Sequence, residues 1–314
     1  MYESYYGFKE NPFSLSPDPR FLLLCPQHRE ALNHLIYGIQ ERKGFIVITG
    51  GIGTGKTTLC RSFLACLDGA TEAALIFNPA ISELELLETI VQEFGLKMDG
   101  RRRKTKKRYI DALNAFLLDN YRAGKNAVLL IDEAQNLSHS VMEQIRLISN
   151  LETEREKLLQ IVLIGQPELG EMLKLPSLRQ LRERIVVWYE LKPLKLRQIE
   201  QYIDHRLSVA GGGSVSFSAL ARMRIFLSSE GNPRRINAVC DRALLIAYSR
   251  DLRTIGGSIV GEAVRDIGRR YAASSGYGRL FRVHRLLWGG IIAACTLILI
   301  GLVFRDRIWK EFFS

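Results

Sequence analysis

The sequence predicts an α/β fold: a parallel β-sheet flanked by helices, then a small all-helical domain and one C-terminal transmembrane helix. Three observations carry this. Short apolar runs alternate with helical patterns as far as residue 192, as in a parallel sheet covered on both faces. Residues 50–57 read G-G-I-G-T-G-K-T directly after the apolar run 44–49, and residues 127–133 read A-V-L-L-I-D-E. Residues 286–304 run without a single charge.

Residues 1–43 form an N-terminal lead-in. Pro12, Pro17 and Pro19 forbid a long helix in its first half. Leu32, Leu35, Ile36 and Ile39 then share one face of a helix predicted over 27–42. The α/β domain spans 44–192. Its strands are expected at 45–49, 73–78, 127–132, 160–165 and 185–189, and its helices at 56–67, 84–94, 108–121 and 141–152. Ser82 followed by Glu85 is a capping box that opens the second of these helices. From 193 to 271 the periodicity is helical only, over 196–209, 218–228, 233–249 and 260–270, with glycines between; no further strand is expected. Residues 272–285 begin with an Ala/Ser/Gly-rich stretch and read as a linker. Residues 286–304 are the transmembrane helix and 305–314 a short periplasmic tail.

The glycine-rich turn has the spacing of a phosphate-binding loop. Gly50, Gly51, Gly53 and Gly55 let backbone N–H groups turn inward without a Cβ in the way, and Ile52 and Thr54 complete the loop. The helix that starts at Lys56 adds its partial positive charge. Lys56 is placed to reach terminal phosphates, Thr57 to offer its hydroxyl to Mg²⁺, and Thr58 to extend the loop's contacts. At the end of the 127–132 strand, Asp132 is placed to support Mg²⁺, and Glu133 to orient or deprotonate an attacking water. An acidic turn after a strand is usually only solvated; its pairing with the glycine loop is what gives these carboxylates a nucleoside triphosphate to act on.

Composition sets the outer limits. The 314 residues are 47% hydrophobic and carry a formal charge of +11, enough for one large nucleotide-binding domain and a smaller one. Cys25, Cys60, Cys66, Cys240 and Cys295 are scattered with no C-x-x-C pair, so neither a disulfide framework nor a zinc site is expected. His28 and His34 read as ordinary structural or surface residues. The N-terminus has no basic region and no apolar core, so no signal peptide is expected. The apolar run near the other end would span ~28 Å as a helix, close to the thickness of a bilayer's hydrocarbon core. Trp288 and Trp309 lie near its ends, and basic residues are more numerous before it than after it. That bias places the N-terminal side in the cytoplasm, and the single run makes the chain a single-pass membrane protein.

Further motifs narrow the class. Asn11-Pro-Phe13, Pro17-Asp-Pro-Arg20, His28-Arg-Glu-Ala-Leu32, Leu130-Ile-Asp-Glu-Ala-Gln135, Gly165-Gln-Pro-Glu-Leu169 and Gly231-Asn-Pro-Arg-Arg-Ile-Asn237 together resemble the ExeA/GspA (general secretion pathway protein A) family of AAA+ ATPases. The resemblance covers 5–270. It implies an AAA+ sheet with a helical lid, ATP and Mg²⁺ as ligands, hydrolysis of ATP, and a place in the bacterial inner membrane with the ATPase domain in the cytoplasm. It also implies that Gln166 is a sensor of the γ-phosphate at the end of the fourth strand, and that Arg234 is the lid's sensor arginine, with Arg235 as the competing choice. Arg184 stands where such ATPases carry an arginine finger, and Arg182 is nearly as well placed. A finger acting in trans implies self-association into a ring or another head-to-tail oligomer. The relatives' long periplasmic part is not matched by 305–314, so direct peptidoglycan binding is not expected and a separate membrane or periplasmic partner is.

Seven of the eight residues 101–108 are basic. A solvated loop, contact with anionic lipid and contact with nucleic acid all fit such a run. Tyr109 is the only neighbouring aromatic, which gives no support for stacking on single strands. The leading expectation is a membrane-anchored AAA+ ATPase that drives assembly or operation of an envelope secretion, pilus or polysaccharide export system. The alternatives are a DNA-associated ATPase of the transposition or replication-initiation type and a nucleotide-gated scaffold; the apolar run speaks against nucleic acid as the partner, and Glu133 against the scaffold.

Overall fold

The computed structural model describes residues 1–77, 79–98, 103–153, 156–212 and 214–274. The predicted transmembrane helix, most of the linker, the tail, and Arg101 and Arg102 of the basic run lie outside these residues. The chain divides into two compact units, Met1–Val260 and a second that begins at Gly261. Every site described below lies in the first.

Elements follow in chain order. A short helix, α1 (Tyr2–Tyr6), precedes an extended stretch broken by one 3-10 turn at Pro19–Phe21, and then α2 (Pro26–Gln40). The alternating region follows as β1 (Phe45–Gly50), α3 (Lys56–Ala65), β2 (Thr71–Ile76), α4 (Glu83–Glu93), α5 (Lys106–Arg122), β3 (Asn126–Ile131), α6 (His139–Ile148), β4 (Gln160–Gly165), α7 (Pro167–Leu173), α8 (Arg179–Arg182) and β5 (Ile185–Leu191). Then come α9 (Leu196–Val209), β6 (Ser216–Phe217), α10 (Ala219–Ser229), α11 (Pro233–Tyr248), β7 (Thr254–Ile255) and α12 (Gly257–Ser274).

All five predicted strands of the α/β region pair in parallel, in the order β2-β3-β4-β1-β5. β1 and β4 are buried along their whole length, as apolar runs in the middle of a sheet must be. Alternate residues feed two cores. Phe45, Val47, Leu129, Ile131, Ile161 and Leu163 face one of them; Ile46, Ile48, Val128, Leu130, Val162 and Ile164 face the other. Each fully buried side chain of this kind stabilises the fold by roughly 1.5–3 kcal/mol, so this strand alternation is the main force holding the site's scaffold.

The elements differ from expectation where local side-chain bonding intervenes. α6 stops at Ile148 and not at 152, because the Ser149 hydroxyl donates back to the Arg146 carbonyl and closes the last turn. β2 starts at Thr71, ahead of the expected 73, where the Asp68 carboxylate accepts from the Ala70 N–H and the Thr71 hydroxyl. The capping box of α4 is present, Ser82 and Glu85 bonding in both directions. One expectation is corrected. Strands do not stop after residue 193: β6 and β7 form a two-residue parallel pair among the later helices, too short to leave a period-2 signal in the sequence. Helices α7 and α8 were not foreseen either; α7 begins with Pro167 at its first position.

Lys104 and Lys106 of the basic run reach Glu88 and Glu83 on α4. Two of the run's five described basic residues are therefore paired with α4. Among the described residues no helix is long and apolar enough to cross a membrane.

Candidate nucleotide site

The strand order builds the site. β4 lies between β1 and β3, with Thr49 beside Gly165 and Ile131 beside Leu163. The chain leaving β1 (the glycine loop), the chain leaving β3 (Asp132 and Glu133) and the chain leaving β4 (Gln166) thus emerge at one edge, the edge where parallel sheets bind ligands.

The loop itself turns through Gly53 and Gly55, both at positive φ (78° and 99°), a conformation that disfavours a side chain. Gly55 caps the N-terminus of α3 in a left-handed conformation. The Lys56 ammonium is nearly buried and donates to the carbonyls of Gly50 (2.8 Å) and Gly51 (3.1 Å). Burial lowers its pKa, partly opposed by the carboxylates of Glu133, Asp132 and Glu168. The Thr57 hydroxyl donates to Asp132 Oδ2 at 2.8 Å, and Asp132 is only 2% exposed.

Glu133 occupies the left-handed region at φ 53°, ψ 37°, uncommon for a residue with a side chain. Its Oε2 accepts from Gln135 Nε2 (2.6 Å) and Gln166 Nε2 (3.2 Å). Gln135 Oε1 in turn accepts from the Gln166 backbone N–H at 2.9 Å. Burial pushes the Glu133 carboxyl up, but those two amides and the Lys56 charge outweigh it and hold the group below the ordinary glutamate range. It is an ionised carboxylate fixed by two donors, able to accept a proton or to orient a water.

Ile52, Gly53, Thr54, Gly55, Lys56, Thr57, Thr58, Glu133, Gln166 and Arg234 line one cleft. Gly50, Gly51 and Asp132 do not line it but bond to residues that do, the first two to Lys56 and the third to Thr57. Of the two lid arginines weighed from the sequence, Arg234 lines the cleft, whereas Arg235 turns to Glu230 (2.8 Å). Arg184 and Arg182 do not reach it within this chain; Arg184 donates to Ser149 Oγ (2.8 Å) and Arg182 to the Lys174 carbonyl (3.2 Å).

The start of α11 rests on the glycine loop. Asn232 donates from Nδ2 to the Ile52 carbonyl (2.6 Å), and the Arg234 N–H to the Gly53 carbonyl (3.3 Å). A Cβ on Gly53 would lie 2.6 Å from Arg234 Cβ. His28 supports the loop from below, its Nδ1 2.7 Å from Cys25 Sγ and its Nε2 3.4 Å from the Thr54 carbonyl. The structural reading of His28 thus holds, with a specific task attached. Gln135, Asn232, Pro17 and Asp18 stand in motifs quoted from the sequence but had no individual role there, and the rest of the cleft wall formed by residues 14–18 and 21–23 was not singled out. Gln135 stands two positions beyond Glu133, and this i, i+2 placement beside a catalytic-type carboxylate is the signal that could have marked it.

This fold and cleft define a P-loop ATPase of the AAA class: residues 39–173 match the family model described as an AAA domain. The resemblance to the ExeA/GspA family is shown as well, because the chain is 47% identical over 250 residues to the general secretion pathway protein A of Aeromonas hydrophila. That alignment covers 80% of this chain and 45% of the relative, so the chain spans less than half of the relative's length. Among solved structures, the ADP form of the Aeropyrum pernix ORC2 protein aligns with a TM-score of 0.61 at 17% identity, over 82% of this chain and 73% of that one. The Thermotoga maritima RuvB Holliday junction branch migration motor aligns with a TM-score of 0.52 at 18% identity, over 76% and 68%. At such identities these structures speak for the fold alone.

Proposed function

We propose that this chain is a membrane-anchored AAA+ ATPase that uses ATP hydrolysis to drive assembly or operation of an envelope secretion, pilus or polysaccharide export system. The observation that carries the chemistry is the Glu133 carboxylate, held ionised by Gln135 and Gln166 across the cleft from Lys56. In this reading Lys56 and the loop N–H groups bind the phosphates, Glu133 orients and deprotonates water, and Gln166 reports the γ-phosphate to β4. Arg234 carries that report to the helical part, and Arg184 or Arg182 enters the cleft of a neighbouring copy. The Thr57 hydroxyl and Asp132 carboxylate, 2.8 Å apart, are the hard oxygen donors that suit Mg²⁺. Bound there, the ion would neutralise charge on the phosphates.

The envelope role is supported by the 47% identity to a protein named for general secretion and by the apolar run 286–304. The pairing of Lys104 and Lys106 with α4 glutamates gives the nucleic-acid alternative no added support.

The test is ATP turnover by the full-length chain in detergent or membranes, with protein concentration varied. Glu133→Gln is expected to retain ATP binding and to lower turnover by roughly 10²–10⁴-fold, the usual contribution of a general base. Equal turnover in the variant would remove Glu133 from the mechanism. Recovery of the intact chain wholly from the soluble fraction would remove the anchor.

A further inference from the structure

The motifs Asn11-Pro-Phe13 and Pro17-Asp-Pro-Arg20 have no part in the chemistry above, yet they shape the cleft. They lie in a strap, residues 10–24, that runs from β6 and α11 to α3. At its first end Phe13 is buried against Phe217, with ring centroids 6.2 Å apart. Asn11 there accepts from the Phe13 N–H (2.7 Å) and donates to Asp241 (3.0 Å). At its other end Asp18 caps the 3-10 turn by accepting from the Arg20 N–H (2.9 Å), and Arg61 of α3 donates to the Pro17 carbonyl (2.7 Å). Between these anchors the strap walls the same cleft as Lys56 and Glu133.

Arg206, on α9, holds the middle. It is 6% exposed and itself lines the cleft. Its Nε donates to the Pro12 carbonyl (2.5 Å), its Nη2 to the Ser14 carbonyl (3.1 Å) and its Nη1 to the Tyr202 hydroxyl (2.9 Å). The guanidinium lies 4.7 Å from the centroid of the Phe21 ring. The Tyr202 hydroxyl is in turn 2.9 Å from the side-chain amide of Asn237 on α11. These hydrogen bonds all end on neutral oxygens, while Asp18 feels the guanidinium charge from within the strap. A buried cation bonded mainly to neutral oxygens is costly, and an apolar side chain of similar volume would pack there without that cost. What the guanidinium adds is a planar fork that fixes two separate strap carbonyls and a ring at once.

We propose that Arg206 is a positioning residue for nucleotide recognition. It sets the strap as the cleft wall that faces the nucleoside end of the ligand, and it ties that wall to α9 and α11. Binding of the nucleoside is thereby transmitted to the helical part by a route separate from the phosphates. The inference rests on the reading of the cleft as an ATP site.

The experiment compares ATP with inorganic tripolyphosphate, which carries the phosphate end alone. In the full-length chain, Arg206→Met is expected to weaken ATP binding by at least ten-fold and to leave tripolyphosphate affinity within two-fold. The loss should appear in KM and not in kcat, and Arg206→Lys should rescue it only in part. Hydrogen exchange on the unmutated chain gives a readout independent of the variant's folding: ATP should protect residues 14–23 together with α9, and tripolyphosphate only the glycine loop. Equal losses of both ligands, unchanged ATP affinity, or no strap protection by ATP overturns the role of Arg206. Absence of binding of either ligand to the unmutated chain overturns the ATP-site reading itself, and the inference with it.

Discussion

The two ends of the cleft are written into the chain in different ways. The phosphate end is contiguous: eight successive residues make the loop, and two adjacent carboxylates face it across one intervening strand. The opposite wall is assembled from the N-terminal strap, α9 and α11, segments separated by some 190 residues in the hydrogen bonds of Arg206. The difference teaches that chemistry acting on phosphate demands particular side chains at fixed spacing, whereas a wall can be held by contacts to backbone carbonyls, which leave almost no mark in sequence.

The joint between the two ends is the place to break this comparison hardest. Gly231, just before α11, has φ +74°, and a Cβ there would lie 2.0 Å from the Leu194 carbonyl oxygen. Gly231→Ala is expected to cost roughly 3 kcal/mol or more of stability, since it combines left-handed strain with a clash against backbone that cannot yield. Chemical denaturation checks this. A cost under about 0.5 kcal/mol would mean that α11 can lift off without consequence and that the two ends are independent.

A smaller effect sharpens the phosphate end. Gln166→Leu removes one of the donors that keep Glu133 ionised. Turnover should fall roughly ten-fold, the loss of about 1.4 kcal/mol expected of a hydrogen bond to a charged group. The acid limb of the pH–rate profile should move to higher pH, because the carboxyl regains protons more readily without that donor. A limb that stays in place would separate Gln166 from the carboxylate.

The smallest effect concerns the support beneath the loop. Burial lowers the pKa of His28, with the contact to the Thr54 carbonyl opposing it. The unfolded chain therefore binds this proton more readily than the folded one. The stability His28 contributes is fully present above its unfolded value of about 6.5 and is lost as pH falls from there through the lowered folded value. Thermal melts across that window should show a slope that is absent in His28→Gln, and an identical slope would acquit His28.

Legibility follows the same division. The central strands β1, β3 and β4 were readable because they are apolar runs buried almost throughout, as in residues 45–49 and 160–165, whereas the edge strands β2 and β5 are only partly buried. Lys56, Thr57, Asp132 and Glu133 could be singled out together because the two motifs fix their spacing, and the structure brings them to one edge of the sheet. Gln135 was quoted within a motif but given no role, because its place two residues after a carboxylate gains meaning only from the contact with Glu133. Arg206 went unseen because an arginine at helical spacing reads as surface. The β6–β7 pair went unseen because two residues per strand carry no periodicity. His28 looked ordinary in sequence, and its task of bracing Thr54 exists only in three dimensions.

The left-handed backbone at Glu133 carries one last consequence. A glycine would sit there with less strain, since a side chain in that region costs on the order of 1 kcal/mol. On the proposed role of Glu133 in activating water, that strain accompanies the placing of a carboxylate there, and Glu133→Gly would exchange work for durability at a single residue.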